Sequence, residues 1–341
     1  MPTRSPSPSV LTHLDLSRAQ RGRGYRAPTF WQRDGVLPRL LAPLSAVTAA
    51  VTALRLRREG WFCPVPVICV GNVTVGGAGK TTVTLDLARR LVTRGWGVHV
   101  LLRGYGGSAR GLHWVEPDQP ASLAGDEALL HAAIAPTWTC ADRKLGAQAL
   151  LAACAEVVLM DDGLQNPGVQ KRLSLLAIDG ASGFGNGRVF PAGPLREPVP
   201  VGTERCQAAV LIGTDATGAA TLLSLPVLRA RLVPDGQYAA LAGRHVLAFA
   251  GIARPDKFFS MLADSGARIA STRAFADHHA FRARELRNVL EEATRCDAVP
   301  VTTTKDAVRL PAGFRDRVTV VGVSLAWEEP TGLEALLSRV V

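Results

Sequence analysis

The sequence predicts an α/β protein organised around a mainly parallel sheet, and three observations carry that expectation. Short apolar runs rich in β-branched residues recur along the chain, as buried strands do. The first two runs are separated by a segment of helical periodicity. A Gly-rich stretch stands at the first strand-to-helix junction. A strand–loop–helix–strand order makes a βαβ unit, whose two strands lie parallel.

Residues 1–27 are rich in Arg, Ser and Pro and contain no apolar run, so a disordered leader is expected there rather than a secretory signal. The stretch from Leu37 to Arg58 differs. It is uncharged from Leu40 to Leu54 and closes on Arg55, Arg57 and Arg58, with Phe30 and Trp31 before it and Trp61 and Phe62 after it. The uncharged part is shorter than the roughly 20 residues a bilayer span needs. Two readings stand: a helix lying in a membrane interface, or a helix packed on the core.

Pro64 to Gly71 reads as the first buried strand. Lys80 to Arg94 reads as a helix with Val83, Leu87 and Leu91 on one face, stopped by Gly95. Gly97 to Leu102 is the next strand, and further strands are expected at Glu156 to Met160, Leu173 to Ile178 and Ala208 to Ile212. The pattern loosens between Pro226 and Gly243, and a second set of strands and helices begins at His245. The expected organisation is a leader at 1–27, an interfacial helix region at 28–62, a core at 63–230 and a smaller C-terminal α/β subdomain at 231–341.

A chain of 341 residues is long enough for one large or two medium cores. Its formal net charge of +10 favours anionic partners, although only five of the 39 basic residues are Lys and an Arg-rich composition alone would give the same sign. No nucleic-acid-binding motif accompanies the charge, so nucleic acid is not an expected partner. Cys63, Cys69, Cys140, Cys154, Cys206 and Cys296 form no C-x-x-C pair. Buried, reduced thiols are expected, neither a disulfide frame nor a zinc site.

The chemistry begins in Thr74, Val75, Gly76, Gly77, Ala78, Gly79, Lys80 and Thr81. A Gly-rich loop between a strand and a helix can wrap backbone N–H groups around phosphate oxygens. Lys80 would reach the β- and γ-phosphates, and the Thr81 hydroxyl would ligate Mg²⁺. The first position of G-x-x-x-x-G-K-[ST] is Thr74 here, and the rest of the pattern holds. The core is therefore expected to be a P-loop NTPase fold. A magnesium-orienting carboxylate is then sought at the end of a neighbouring strand, and Val157-Val-Leu-Met supplies Asp161 and Asp162 there. Three further loops carry more functional groups than plain connections need: Arg103 to Gly107, Gly125-Asp126-Glu127, and Gly183 to Pro198. Asp126 and Glu127 can also be read as charges that favour a helix N-terminus.

These segments, taken in order, resemble the tetraacyldisaccharide 4′-kinase family of lipid A biosynthesis over roughly residues 28 to 335. The resemblance rests on Val70 to Thr81, Arg103-Gly-Tyr-Gly, Gly125-Asp-Glu, Asp161-Asp-Gly-Leu-Gln165, Gly183-Phe-Gly-Asn-Gly-Arg188 and Pro191 to Pro198. Ala250 to Phe259, Ala276-Asp-His-His279 and Lys305-Asp-Ala-Val308 complete it. It implies transfer of the γ-phosphate of ATP, with Mg²⁺, to the 4′-hydroxyl of an acylated glucosamine disaccharide 1-phosphate, forming the 4′-phosphorylated lipid A precursor. It implies peripheral binding to the cytoplasmic face of the bacterial inner membrane, and it favours the interfacial reading of the Leu37 to Arg58 segment; a monomer is expected.

The resemblance also implies roles. Lys80 holds phosphates, and Thr81, Asp161 and Glu197 face Mg²⁺. Asp126 is the general base, paired with His278 rather than His279. Arg196 supports the phosphate end, Arg103 and Tyr105 line the cleft, and Glu127, Asp162 and Gln165 support the substrates. Thr82, Asn166 and Thr304 depart from the family's usual residues. The alternative is a P-loop ATPase or GTPase of another class, acting as a membrane-associated switch or metallochaperone.

Overall fold

A computed structural model describes residues 28–341, and the expected leader at 1–27 lies outside them. The strands are β1 (Val67–Gly71), β2 (Val98–Leu102), β3 (His113–Val115), β4 (Thr137–Thr139), β5 (Val157–Asp161), β6 (Leu173–Asp179), β7 (Ala208–Ile212), β8 (Val227–Pro234), β9 (His245–Ala250), β10 (Arg268–Ala274), β11 (Val299–Thr303), β12 (Thr319–Val321) and β13 (Val323–Trp327). They form a nine-stranded sheet in the order β13-β8-β7-β6-β1-β5-β2-β4-β3 and a four-stranded sheet in the order β10-β9-β11-β12. In the large sheet β1 pairs parallel with β5 and β6, and only the outermost pairs, β3–β4 and β8–β13, are antiparallel. Every residue of β1, β2, β5, β6 and β7 is buried, as expected of strands covered on both faces.

The longer helices are α1 (Val36–Leu56), α2 (Lys80–Thr93), α3 (Asp126–Ala132), α4 (Arg143–Ala152), α5 (Pro255–Asp264), α6 (Ala283–Arg295) and α7 (Pro330–Leu337). Val83, Leu87 and Leu91 of α2 are wholly buried in the same core as Trp327, Leu333 and Leu337 of β13 and α7. Polar bonds reinforce that contact. Trp327 Nε1 donates to Asp86 Oδ2 at 2.8 Å, Arg90 Nε donates to the same oxygen at 2.7 Å, and Arg90 Nη1 reaches Glu334 at 3.1 Å. The chain thus leaves the large sheet through β8, builds the small parallel sheet with α5 on one face and α6 on the other, and returns through β13. β8 and β13 lie where the sequence pattern loosens or alternates weakly, and neither was expected from it.

The apolar N-terminal helix is longer than its uncharged centre suggested. α1 has 21 residues, and by length and composition it is sufficient to cross a membrane. The expectation that this segment is too short is corrected, because the helix extends beyond residues 40–54 at both ends. One side is tied to the protein: Ser45 Oγ donates to Val189 O at 2.7 Å and accepts from Ala192 N at 3.1 Å. Leu37, Leu40, Leu44, Val47, Val51 and Leu54 form an exposed stripe at alternating three- and four-residue spacing. Cys63, Cys69, Cys140 and Cys206 are buried as expected. Cys154 and Cys296 are exposed, because each follows the end of a helix; Cys154 sits there with φ +61°.

Candidate active site

The site lies beyond the C-terminal ends of β1, β2 and β5, where parallel sheets open. Past β1, Asn72 Nδ2 donates to Thr74 Oγ1 at 2.9 Å, and Asn72 Oδ1 accepts from Lys80 Nζ at 3.1 Å. The Thr in place of the usual Gly is therefore a fastening point of the loop. Gly79 has φ +82°, a left-handed conformation that favours glycine at this corner. The segment Pro194 to Glu197 runs antiparallel beside the loop. Val75 N donates to Pro194 O and Arg196 N donates to Val73 O, both at 2.7 Å.

Those backbone bonds deliver Arg196 to Asp162, with Nη1 2.7 Å from Oδ1 and Nη2 3.1 Å from Oδ2. Lys80 Nζ stands 3.7 Å from the same carboxylate. Burial pushes the Asp162 carboxyl up, but Lys80 and Arg196 outweigh it and hold it below the ordinary range. Asp161 is buried; its Oδ2 meets His131 Nε2 at 3.0 Å, and its Oδ1 has no hydrogen-bond partner among the described residues. Glu197 is also buried. Its two oxygens accept from Arg205 Nη2 at 2.6 and 2.7 Å, and Oε1 accepts from Gln165 Nε2 at 2.8 Å. Its carboxylate, expected on the metal, is engaged by these neighbours and braces Gln165, which in turn bonds Arg196 at 3.1 Å.

Across the cleft stands the second half of the site. Gly125 has φ +90°, and a Cβ there would meet Tyr105 O at 2.4 Å, so the turn into α3 packs directly on the Arg103 to Gly107 loop. Asp126 Oδ1 accepts from Glu127 N at 2.9 Å, and Oδ2 faces His278 Nδ1 at 2.8 Å. His278 itself has φ +56°, a left-handed conformation uncommon without glycine. The Tyr105 ring meets its imidazole edge-on at 6.2 Å. His279 turns elsewhere, bonding Glu285 at 2.9 Å and stacking on Phe275. Lys305 lies 3.7 Å from Glu127, and Arg309 Nε lies 3.8 Å from Asp126 Oδ2. Arg103, Tyr105 and Thr139 line an adjoining cleft of about 390 Å³.

The charges shift one another. Burial pushes the Asp126 carboxyl up, but the His278 hydrogen bond and the charges of Lys305 and Arg309 outweigh it, so it lies below the ordinary range. The hydrogen bond to Asp126 raises the His278 imidazole above its ordinary value, against burial and the charge of Lys305. Desolvation and the neighbouring Asp161 and Asp126 carboxylates push Glu127 up, against the pull of Lys305 and Lys80.

A phosphate loop, two acids at the end of β5 and an Asp–His pair are parts that suit phosphoryl transfer, and comparison with known proteins gives the family. The family model described as tetraacyldisaccharide-1-P 4′-kinase matches residues 37–341. The chain belongs to that family. It is similar to the tetraacyldisaccharide 4′-kinase of Gluconacetobacter diazotrophicus, with 55% identity over 316 residues, covering 91% of this chain and 97% of that one. The tetraacyldisaccharide 4′-kinase of Rhodospirillum centenum is 52% identical over 323 residues, covering 92% and 96%. Among solved structures, LpxK from Aquifex aeolicus, crystallised in complex with ATP, matches with a TM-score of 0.74 and 26% identity over 89% of this chain and 99% of that chain.

Within this family member, sequence reasoning assigned no role to His131, Arg205 or Arg309. His131 lies on an apolar helix face, five residues after Asp126, and nothing local announces that it meets Asp161. Arg205 and Arg309 are two among many Arg residues, and only the tertiary fold singles them out. Asn166, one of the departures from the family pattern, uses its side chain within its own turn, accepting from Gly168 N at 2.8 Å.

Proposed function

We propose that this chain is an ATP-dependent lipid kinase that phosphorylates the 4′-hydroxyl of tetraacyldisaccharide 1-phosphate in lipid A biosynthesis. The observation that carries the proposal is the Asp126–His278 pair, 2.8 Å apart in a family member, next to Glu127, whose carboxyl feels the charges of Asp161 and of Lys80 in the phosphate loop. The hydroxyl oxygen attacks the γ-phosphorus, the bond to the β,γ-bridging oxygen breaks, and ADP leaves. The hydroxyl proton passes to the pair. Asp126 is 4% exposed and has both oxygens occupied, whereas His278 is 35% exposed. We therefore assign the imidazole to meet the hydroxyl and Asp126 to orient it and balance its charge, which exchanges the roles the sequence reading gave the two members of the pair, Asp126 as base and His278 as its partner. The phosphoryl transition state is loose, so positioning and charge stabilisation do most of the work, and Lys80 and Arg196 are the cations at that end.

Mg²⁺ fits this arrangement. Among the described residues no group of three or more His, Cys, Asp or Glu could cage a metal. Magnesium in nucleotide sites relies instead on one or two carboxylates plus phosphate oxygens. Thr81 and Asp161, whose Oδ1 is buried and unpaired, would hold it. When bound, it neutralises charge on the phosphate oxygens.

The protein is membrane-associated, and we infer that it acts as a monomer at the cytoplasmic face of the inner membrane. The exposed stripe of α1 and the Arg55, Arg57 and Arg58 cluster that follows support docking in the interface. Residues 28–62 would dock, the large sheet would hold nucleotide, and the unit after residue 231 would bring His278, with β8 and β13 joining the two. The deciding experiment follows transfer of radiolabelled γ-phosphate from ATP to the tetraacyldisaccharide 1-phosphate in mixed micelles, comparing wild type with Asp126→Ala. A labelled lipid that nearly disappears in the variant is the expected result. Nucleotide hydrolysis without any labelled lipid would overturn the proposal in favour of a P-loop switch.

A further inference from the structure

The Asp126–His278 pair is divided between the two sheets. Asp126 begins a helix of the large-sheet unit, and His278 sits in the loop after β10 of the small sheet. His278 is a non-glycine residue in a left-handed conformation, and such a backbone persists only where its surroundings over-determine it. The groups that do so converge on one side chain. Resting on the reading of the pair given above, we propose that Arg309 is the positioning residue of the Asp126–His278 pair, fixing the loop that carries the imidazole and holding a positive charge beside the carboxylate.

Arg309 is 6% exposed and touches four segments. Its Nη2 donates to Gly251 O at 2.9 Å, and that same carbonyl accepts the His278 backbone N–H at 3.1 Å. Its Nη1 donates to His279 O at 3.4 Å, on the other side of His278. Nη2 also reaches Asp306 Oδ1 at 2.5 Å. Asp306 is itself held, because its Oδ1 accepts Gly251 N–H at 2.9 Å and its Oδ2 accepts Thr303 Oγ1 at 2.6 Å. The guanidinium lies over Phe281, 5.7 Å from the ring centroid. The remaining donor, Nε, is buried without a hydrogen bond among the described residues and lies 3.8 Å from Asp126 Oδ2.

A structural ion pair with Asp306 would account for one edge of the guanidinium. It accounts neither for the bonds to the carbonyl that His278 N–H also uses and to the carbonyl of the next residue, nor for an Nε placed beside the oxygen that binds the imidazole. Arginine suits both tasks, because its planar fork reaches several acceptors at once and its charge is permanent. When the imidazole gains a proton it needs Asp126 ionised. A fixed cation beside that carboxylate keeps it ionised while the hydrogen bond keeps the ring aimed.

The test is a double-mutant cycle between Arg309→Lys and His278→Ala, read as single-turnover and steady-state transfer of labelled phosphate. Lys keeps the charge and loses the fork. In the wild-type background Arg309→Lys should lower kcat about tenfold or more, within the range a general base supplies, and leave KM for ATP within about twofold. In the His278→Ala background it should change kcat by less than about twofold, because a positioning residue has nothing left to position. The same factor in both backgrounds, or an unchanged kcat in the first, would overturn the proposal. If Arg309→Lys shows no cooperative melt, Thr303→Val, which frees Asp306 one bond further away, goes through the same cycle with the same expected coupling, and additivity there overturns the proposal equally. Failure of the reading beneath it has a separate signature: His278→Ala and Asp126→Ala would each retain wild-type kcat.

Discussion

The two ends of the cleft are built on opposite plans. At the phosphate end, Lys80, Asp161, Asp162, Gln165, Arg196 and Glu197 all come from the large sheet and its loops, and backbone bonds at 2.7 Å tie the Pro194 to Glu197 segment to the loop it serves. At the base end, Asp126 and Glu127 belong to the large-sheet unit, whereas His278, Lys305 and Arg309 arrive from the small-sheet unit. The phosphate loop and its supports therefore belong to one unit, and the Asp126–His278 pair proposed to accept the proton spans the seam between two. Substitutions at the phosphate end should change ATP affinity and turnover together, and substitutions at the seam should change turnover alone.

The largest expected effect is at Lys80. Lys80→Ala removes the cation that bonds Asn72 and faces Asp162, and kcat/KM for ATP should fall about 10³-fold, as when a principal transition-state donor is lost. Next comes His278→Ala, expected to lower kcat about 10²-fold while ATP binding, measured by titration calorimetry, stays within twofold of wild type. A comparable loss of ATP affinity would erase the distinction between the two ends.

Gly125→Ala tests the seam through the backbone. It forces a side chain into φ +90° and against Tyr105 O, so a loss of about 1–3 kcal/mol in unfolding free energy is expected from denaturant melts, together with reduced kcat. The same Ala substitution at Gly76, where a Cβ would meet nothing within 4 Å, should act through backbone strain alone and leave the seam intact.

The smallest effect is a shift in pH dependence. Asp126 and Asp277 raise the His278 imidazole, and Lys305 lowers it. With the imidazole as proposed proton acceptor, activity needs the unprotonated ring, so the acid limb of kcat should lie above the ordinary histidine value of about 6.5. Lys305→Met should move that limb to higher pH, and movement to lower pH would contradict the assigned electrostatics. The stability linkage has matching signs. His278, raised on folding, contributes stability that is present below its ordinary value and lost as pH rises through its folded value. Asp126, depressed on folding, contributes stability that is present above the ordinary carboxyl value and lost as pH falls.

The same contrast explains what the sequence could reveal. The phosphate end is encoded locally: an apolar β-branched run, a Gly-rich turn and an amphipathic helix follow one another, so β1, the loop and α2 were legible from residues 64–94. The paired acids, Asp161 ending β5 and Asp162 after it, were legible for the same reason. The base end joins residues more than 150 positions apart, and only a family resemblance paired Asp126 with His278. His131, Arg205 and Arg309 were illegible because their roles come from what they touch, not from their neighbours in the chain. Strands β3 and β4 have three residues each, too few for a pattern to register, and β8 alternates only weakly at the sheet margin. Glu197 shows the opposite case. Its position in a motif suggested a metal, and the fold adds two partners the sequence does not announce, Arg205 and Gln165.

The return of β13 and α7 to the large sheet bears on how the chain is made. Trp327, Leu333 and Leu337 complete the core that α2 shares, and Glu334 bonds Arg90 on the helix that begins at the phosphate loop. During synthesis at roughly 5–20 residues per second, residues 80–93 emerge well before the residues that cover them. The small parallel sheet, drawn wholly from residues 245–321, can close first. Helix α2 is thus covered on this side by residues made long after it, so that contact is among the last the growing chain can form.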